Sequence, residues 1–345
     1  LGGTVGTPSE GVTGEVVVVR NFEELDKLGT QVKGKIVLYN FPMRKDLPTG
    51  QAYGEAVRYR GNGAIQAAKY GAIAALVRSV TTVSLNTPHT GAMRYQDDIT
   101  KIPAAAVTIE NAELMQRLFL RGEKIVVNLK LGAQTLPDAE SANVIGEIKG
   151  SEKPDEVILI SGHLDSWDVG TGSNDDGAGC VIVMEAARIL ARLGLRPRRT
   201  IRVVLYTNEE NGLNGAVAYG NAHKQEFGKH VVAMEADSGG TRPLGFSFQG
   251  KDEAFNIIQD IAGLLYNIKS DNVRRSQGVG ADISVLTGAG VPGLGLSNDS
   301  SHYFDIHHTQ ADTFEKMDRT DLALNVATVA VMAYVLADMP NALPR

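Results

Sequence analysis

From Asn143 to its end, the chain alternates apolar strand patterns with helical ones, and this alternation limits the possible folds more than any other feature. Strands are predicted at VILIS (157–161), IRVVLYT (201–207), VVAMEA (231–236) and 294–297. Helices are predicted at 177–192, 212–228, 254–265 and 322–336. Such alternation is typical of a mostly parallel sheet with helices on both faces. We therefore expect an α/β fold with a mixed, mostly parallel sheet sandwiched by helices.

The first third of the chain has a different pattern. β-branched runs predict strands at residues 15–19, 35–39, 74–77 and 125–129, around a single helical stretch at 63–69. This pattern predicts a small β-rich domain. The 345 residues of the chain are enough for two packed units of this kind.

Composition and charge exclude several classes of function. The net charge of -6 is spread along the chain, which argues against nucleic acid or an anionic membrane surface as a partner. No apolar run approaches the roughly eighteen residues that a membrane helix needs, so we expect no membrane span. Cys180 is the only cysteine, so any metal site must use His, Asp and Glu. The chain begins at Leu1 without a signal-peptide pattern, and we interpret it as a mature or trimmed form.

Polar residues follow three of the predicted strands at the point where each strand ends. VILIS leads into His163 and Asp165, IRVVLYT into Glu209 and Glu210, and VVAMEA into Asp237. In open α/β sheets, ligands bind beyond the carboxyl ends of the strands. We therefore expect these side chains to share one edge of the sheet. Asp165 lies two residues after His163, so its carboxylate can accept the ring N–H and orient the imidazole.

Two further segments supply possible ligands from loops. In Asn-Asp-Asp-Gly, before the helix that starts near Gly177, one aspartate can cap the helix while the other reaches the site. The segment HHTQADT adds His307 and His308. Taken singly, each motif is explained as well by a helix cap, an acidic turn or a structural histidine. Together they predict a site of nitrogen and oxygen ligands for zinc or a similar divalent ion.

Charge counting favours two ions over one. Three ligand carboxylates with two neutral imidazoles leave a pair of divalent ions with about one net positive charge, which can stabilise a hydroxide and then an oxyanion. A single ion would leave the cluster net negative, since further carboxylates lie nearby in the sequence.

The motifs GHLDSWDVGTGSNDDGAG, TNEENGLNGA, MEADSGG, GVPG and HHTQADT resemble, in this order, those of the co-catalytic zinc peptidase family M28. The resemblance covers nearly the whole chain and is strongest to the carboxypeptidase Q branch of the family. It implies two Zn²⁺ ions and assigns Glu209 as the general base that activates a metal-bridging water. It implies that Asp165 orients His163, and that the metal ligands are His163, Asp175, Glu210, Asp237 and His308, with Asp175 as the bridge.

The resemblance also implies a domain organisation and a biological setting. It places a protease-associated (PA) domain at 15–132, inserted into a peptidase domain formed by 1–14 and 133–345. Relatives have a further segment before the start of this chain. The implied substrates are dipeptides or short peptides with a free N-terminus, for a secreted, periplasmic or lysosome-like enzyme that forms a homodimer.

Other functions are weaker interpretations of the same sequence. A single-zinc acyl transferase resembling glutaminyl cyclases would bind one ion, and a non-catalytic receptor-like homologue would not need every ligand position filled, as it is here. A serine hydrolase is disfavoured because G-x-S-x-G is absent from the sequence. Gly288, Gly290 and Gly293 spell G-x-G-x-x-G, but the run after Pro292 does not open a helix as dinucleotide binding requires.

Overall fold

The computed structural model describes residues 1–83 and 85–345. The chain forms two compact units, each built from two stretches of sequence. The first comprises Leu1–Ala139 and Phe304–Ala311, and the second comprises Glu140–Tyr303 and Asp312–Arg345. The predicted division into 1–14, 15–132 and 133–345 stays a prediction about the domain boundaries.

The first unit is built on a five-stranded sheet. Its strands are β1 (Val12–Val19), β2 (Ile36–Tyr39), β3 (Ala74–Arg78), β4 (Ala104–Val107) and β5 (Val126–Leu129). In space they follow the order β4-β3-β2-β1-β5. The pairs from β1 to β4 are parallel, and β5 runs antiparallel to β1. The four predicted strands are therefore present, and β4 is an addition to them.

Three helices accompany this sheet, namely α1 (Phe22–Leu28), α2 (Thr49–Lys69) and α3 (Ile109–Leu120). A short 3₁₀ turn, Gly29–Val32, follows α1. The side chains of Asn21 and Thr108 cap α1 and α3 by accepting backbone N–H groups of their first turns. The single predicted helix at 63–69 is the last third of α2.

The second unit is built on a seven-stranded sheet. Its strands are β6 (Val144–Ile148), β7 (Lys153–His163), β8 (Arg199–Tyr206), β9 (His230–Glu235), β10 (Pro243–Gln249), β11 (Asn272–Arg275) and β12 (Gly293–Asn298). Their spatial order is β11-β10-β12-β9-β7-β8-β6. Only the β6–β8 and β10–β12 pairs are antiparallel. The prediction of a mixed, mostly parallel sheet is confirmed.

The helices of the remaining chain are α4 (Ala178–Arg192), α5 (Asn214–Ala222), α6 (Asp252–Ala262), α7 (Ser284–Gly288), α8 (Tyr303–Ile306) and α9 (Arg319–Asp338). Short 3₁₀ turns occur at Lys224–Lys229, Gly263–Ile268 and Phe314–Lys316. The helix predicted at 212–228 is thus α5 followed by a separate turn.

Both faces of the second sheet are covered, because successive side chains of a strand point to opposite faces. Ile158 and Ile160 of β7 are buried in one core cluster with residues of α4 and α9. Val157 and Leu159 are buried in another cluster with residues of α5 and α7. With both faces of the sheet covered, the carboxyl ends of β7, β8 and β9 are where polar side chains can come together.

Helix α9 is the one helix among the described residues with the length and hydropathy to cross a bilayer, and half of its apolar window is buried inside the protein. Val329, Met332 and Leu336 are fully buried in the core cluster of the second unit. Each such side chain contributes roughly 1.5–3 kcal/mol to folding through its burial. The apolar composition of α9 is accounted for by this packing.

Candidate metal and active site

Three adjacent strands of the second sheet, β9, β7 and β8, bring their terminal polar residues to one edge. β7 pairs in parallel with β8 on one side and with β9 on the other. His163 is the last residue of β7, Glu209 and Glu210 lie just beyond β8, and Asp237 lies just beyond β9. Because parallel strands end at the same side of a sheet, the convergence expected from the sequence follows from this register.

His163, Asp175 and Asp237 form a compact group of possible metal ligands. The Nε2 atom of His163 lies 3.2 Å from Oδ1 of Asp175 and 3.5 Å from Oδ1 of Asp237. Tetrahedral zinc with ligand bonds of about 2.0–2.1 Å holds its ligand atoms about 3.3 Å apart. The spacing and the donor types of this group therefore fit a zinc ion.

The protonation of His163 reflects the same crowding of carboxylates. Burial alone lowers the pKa of the imidazole, but the adjacent carboxylates of Asp175 and Asp237 outweigh it and raise the pKa well above its usual range. A divalent cation placed among these carboxylates would replace that proton, so metal binding here would release a proton.

Asp165 lies at the site, but it contacts different groups from those expected. Its carboxylate is 3.9 Å from Nδ1 of His163, longer than a hydrogen bond. The ring nitrogen instead lies 3.0 Å from the backbone carbonyl oxygen of Asp165. The carboxylate accepts the backbone N–H groups of Glu209 and Glu210 at 2.9 and 3.1 Å. Asp165 therefore orients His163 through its main chain and fixes the Glu209–Glu210 turn through its side chain.

The two adjacent aspartates have separate roles. Asp176 accepts the N–H groups of His163 and Gly179 at 3.0 and 3.1 Å, so it ties the end of β7 to the start of α4. The carboxylate of Asp175 faces the imidazole of His163. This arrangement is the one that Asp175 needs as a metal ligand.

A third aspartate, Asp312, holds the backbone on the other side of this turn. Its carboxylate accepts the N–H groups of Asn174 and Asp175 at 2.7 and 3.0 Å. Asp312 is part of the motif HHTQADT, but no local pattern in that motif predicts this contact.

Glu209 and Glu210 differ in their surroundings. Burial, followed by the negative charge of Asp237, raises the pKa of the Glu209 carboxyl to about 8. Glu210 accepts a hydrogen bond of 2.6 Å from the indole Nε1–H of Trp167, the only tryptophan in the chain. Charge-assisted hydrogen bonds of this length are stronger than neutral ones, so Trp167 fixes the direction of Glu210. Sequence reasoning missed this role of Trp167.

The Gly-rich stretch at 278–295 begins as a loop that Glu235 anchors. The carboxylate of Glu235, the last residue of β9, accepts the N–H groups of Ala281 and Ile283 at 2.6 and 2.8 Å. Between them, Asp282 is 1% exposed, and its carboxylate oxygens have no hydrogen-bond partner among the described residues. Burial, followed by the charges of Glu235 and Glu209, raises the pKa of Asp282 to about 9. The rest of the stretch contains α7 and the start of β12, which includes the strand predicted at 294–297.

His308 lies in Phe304–Ala311, which belongs to the first unit. It is 7% exposed, its φ angle of 60° is in the left-handed region, and its ring stacks on His307 with the centroids 3.6 Å apart. Its Nδ1 atom lies 3.3 Å from the carbonyl oxygen of Thr90. The role of His308 as a metal ligand stays a prediction.

Comparison with known proteins identifies the family. The model of peptidase family M28 matches residues 143–333, and that of the PA domain matches residues 12–115. The chain belongs to peptidase family M28. Carboxypeptidase Q of Mus musculus is 47% identical to this peptidase over 345 residues, which are 100% of this chain and 72% of the relative. Carboxypeptidase Q of Homo sapiens is 46% identical over the same length and 71% of the relative.

Solved structures agree with this assignment. A peptidase M28 precursor from Shewanella amazonensis has a TM-score of 0.94 and 37% identity, covering 100% of this chain and 78% of that one. The zinc aminopeptidase BSAP from Bacillus subtilis has a TM-score of 0.68 and 22% identity, covering 98% of this chain and 78% of that one. This M28 peptidase therefore shares its fold with zinc aminopeptidases.

Proposed function

We propose that this M28 peptidase is a zinc-dependent exopeptidase that hydrolyses dipeptides or short peptides with a free N-terminus. The observation that supports it is the group of His163, Asp175 and Asp237, whose ligand atoms have the spacing of a zinc site. An imidazole and carboxylate oxygens, without thiolate, are typical of catalytic rather than structural zinc. The names of the carboxypeptidase Q and zinc aminopeptidase relatives point to the same chemistry.

We further propose two zinc ions. His163 and Asp237 would hold one, Glu210 and His308 the other, and Asp175 would bridge them. The charge of the site supports this number, since the ligand carboxylates, Glu209 and Asp282 together would repel one another strongly without compensation. The raised pKa values of Glu209 and Asp282 report that repulsion together with burial.

The protein side chains would then do the proton chemistry. Zinc, when bound, lowers the pKa of water and polarises the peptide carbonyl. Glu209 accepts the proton of the attacking water and returns it to the leaving amine. The carboxylate of Asp165 holds Glu209 in place by accepting the Glu209 backbone N–H. The indole N–H of Trp167 orients the carboxylate of Glu210 as a metal ligand. The charge of bound zinc would bring the pKa of Glu209 down toward its ordinary value, so that it acts as a base at neutral pH.

The biological setting is a proposal as well. The Shewanella relative is described as a precursor, which supports a secreted, periplasmic or lysosome-like enzyme. We propose that the partners of this M28 peptidase are small peptides and a second copy of the chain, and that it binds neither nucleic acid nor membranes.

The decisive experiment compares Glu209→Gln with the wild-type enzyme. The variant should retain two zinc ions per chain and lose about 10²–10⁴-fold in kcat, the usual contribution of a general base. Glu152→Gln, at a surface carboxylate paired with Arg198, is the matched control and should change neither. A panel of dipeptides with free and acetylated N-termini tests the substrate class. Retained turnover in Glu209→Gln would show that Glu209 is not the general base. One zinc ion per chain in the wild-type enzyme would favour the acyl-transferase alternative.

A further inference from the structure

Arg60 is a buried arginine whose guanidinium donates hydrogen bonds to uncharged acceptors. It lies in α2 and is 8% exposed. Its Nη1 and Nε atoms donate to the carbonyl oxygens of Thr90 and Ala92 at 3.2 and 3.3 Å, and Nη2 donates to the hydroxyl of Tyr53 at 3.0 Å. Burying a charged side chain is costly, so an arginine directed at two carbonyls that are two residues apart indicates a backbone segment that has to be held in place.

The residue between those carbonyls is a glycine for a steric reason. Gly91 has a φ angle of 136°, and a Cβ atom built on it would overlap the guanidinium of Arg60. Only glycine allows the backbone to approach the arginine this closely. The loop at residues 90–92 thus packs directly against the guanidinium of Arg60.

The same loop holds His308 by two hydrogen bonds. The backbone N–H of Thr90 donates to the carbonyl oxygen of His308 at 2.9 Å, and Nδ1 of His308 lies 3.3 Å from the carbonyl oxygen of Thr90. That carbonyl also accepts from Arg60, which fixes its position. His308 has a positive φ, a conformation that costs about 1–3 kcal/mol and persists only where neighbours enforce it.

We propose that Arg60 and the Thr90 carbonyl are positioning groups for His308, which they hold as the Nδ1–H tautomer with the Nε2 lone pair directed to zinc. The inference rests on the proposed function, because it takes His308 to be a metal ligand. Metal-binding histidines generally donate their other ring N–H to a carbonyl or carboxylate, and loss of such a partner weakens metal affinity about 10–100-fold. Arg60, Thr90 and His308 all lie within the first unit.

The test replaces Arg60 by methionine and uses Arg58→Met as the matched control, since Arg58 is exposed and lies in the same helix. Two-bond ¹⁵N–¹H NMR of the histidine rings in chelator-treated protein reports the tautomer of His308 without metal, with His308→Gln for assignment. Zinc affinity is measured separately by competition with a chelating dye. Arg60→Lys, which keeps one donor for the Thr90 carbonyl, should rescue part of both readouts.

We expect Arg60→Met to shift the His308 ring signals away from the pure Nδ1–H tautomer and to weaken zinc binding about 10–100-fold, while Arg58→Met changes neither. An unchanged His308 tautomer in Arg60→Met would overturn the inference. Unchanged zinc affinity in Arg60→Met would also overturn the inference, provided that His308→Gln loses an ion. If His308→Gln retains both ions, the proposed ligand set fails first, and the inference falls with it. Gly91→Ala, read in the same way, replaces Arg60→Met if that variant does not fold.

Discussion

Trp167→Phe removes a hydrogen bond from the proposed metal site. The phenyl ring keeps most of the apolar body of the indole, but the Nε1–H that donates to Glu210 at 2.6 Å is lost. A hydrogen bond to a charged group contributes about 1.5–3 kcal/mol. Since about 1.4 kcal/mol corresponds to a tenfold change in an equilibrium constant, zinc affinity should fall about 10–100-fold.

The assay is competition between the enzyme and a zinc-chelating dye, followed by metal analysis of the isolated protein. The ion that depends on Glu210 should be lost first, so the variant should pass through a form with one ion per chain. Val169→Ala, at an exposed side chain of the same loop, is the control and should bind like the wild type. Affinity within twofold of the wild type in Trp167→Phe would refute the assignment of Trp167 as the residue that orients Glu210.

Two other predictions concern stability. In Gly179→Ala, the new Cβ would overlap the Ala236 carbonyl oxygen and the Asp176 carboxylate, so urea unfolding should show a loss of about 3 kcal/mol, the upper range of overpacking. Gly61→Ala in α2, where a Cβ meets nothing within 4 Å, should be neutral or stabilising, and equal losses in both would contradict the argument. Burial lowers the pKa of His89 from 6.5 to about 4 in the folded chain. The unfolded chain therefore takes up the proton first as the pH falls. The free energy of unfolding should be highest above pH 6.5 and should decrease by about 3 kcal/mol between pH 6.5 and pH 4, at about 1.36 kcal/mol per pKa unit. Unfolding of His89→Leu at pH 7 and pH 4.5 should show a correspondingly smaller decrease, and identical pH profiles for the two proteins would contradict it.

The convergence of His163, Glu209, Glu210 and Asp237 could be predicted because it depends only on strand direction. Once β7, β8 and β9 are read as parallel strands, their carboxyl ends must meet at one edge. Their apolar runs indicated those strands, since strands buried on both faces read as nearly continuous apolar segments. The sheet and its polar edge therefore follow from local pattern and general topology.

Hydrogen bonds across loops could not be predicted in the same way. Asp165 was expected to contact the imidazole of His163, but the turn after β7 directs its carboxylate to the Glu209 and Glu210 backbone. Trp167 meets Glu210 across 43 residues of sequence, and no local pattern encodes such a contact. Loop conformation, which sets these partners, depends on tertiary packing.

Helix α2 shows how tertiary packing overrides local propensity. Its first part contains Gly50, Gly54 and Gly61, which disfavour a helix, so only residues 63–69 were predicted. In the structure the helix begins at Thr49, and Ala52, Ala56 and Tyr59 are buried along it. Helix α3 was missed as well, although Ala112 is buried in it and Met115 and Phe119 pack against the same core cluster.

Phe304–Ala311 has chain of the second unit before and after it, yet it packs as part of the first. No single cut in the sequence therefore separates the two units. Expression of residues 140–345 alone would leave these eight residues without the Thr90 backbone and Tyr53 ring that they contact in the intact chain. The packing of the His307–His308 loop is therefore encoded in the first third of the sequence, more than 200 residues before the loop itself.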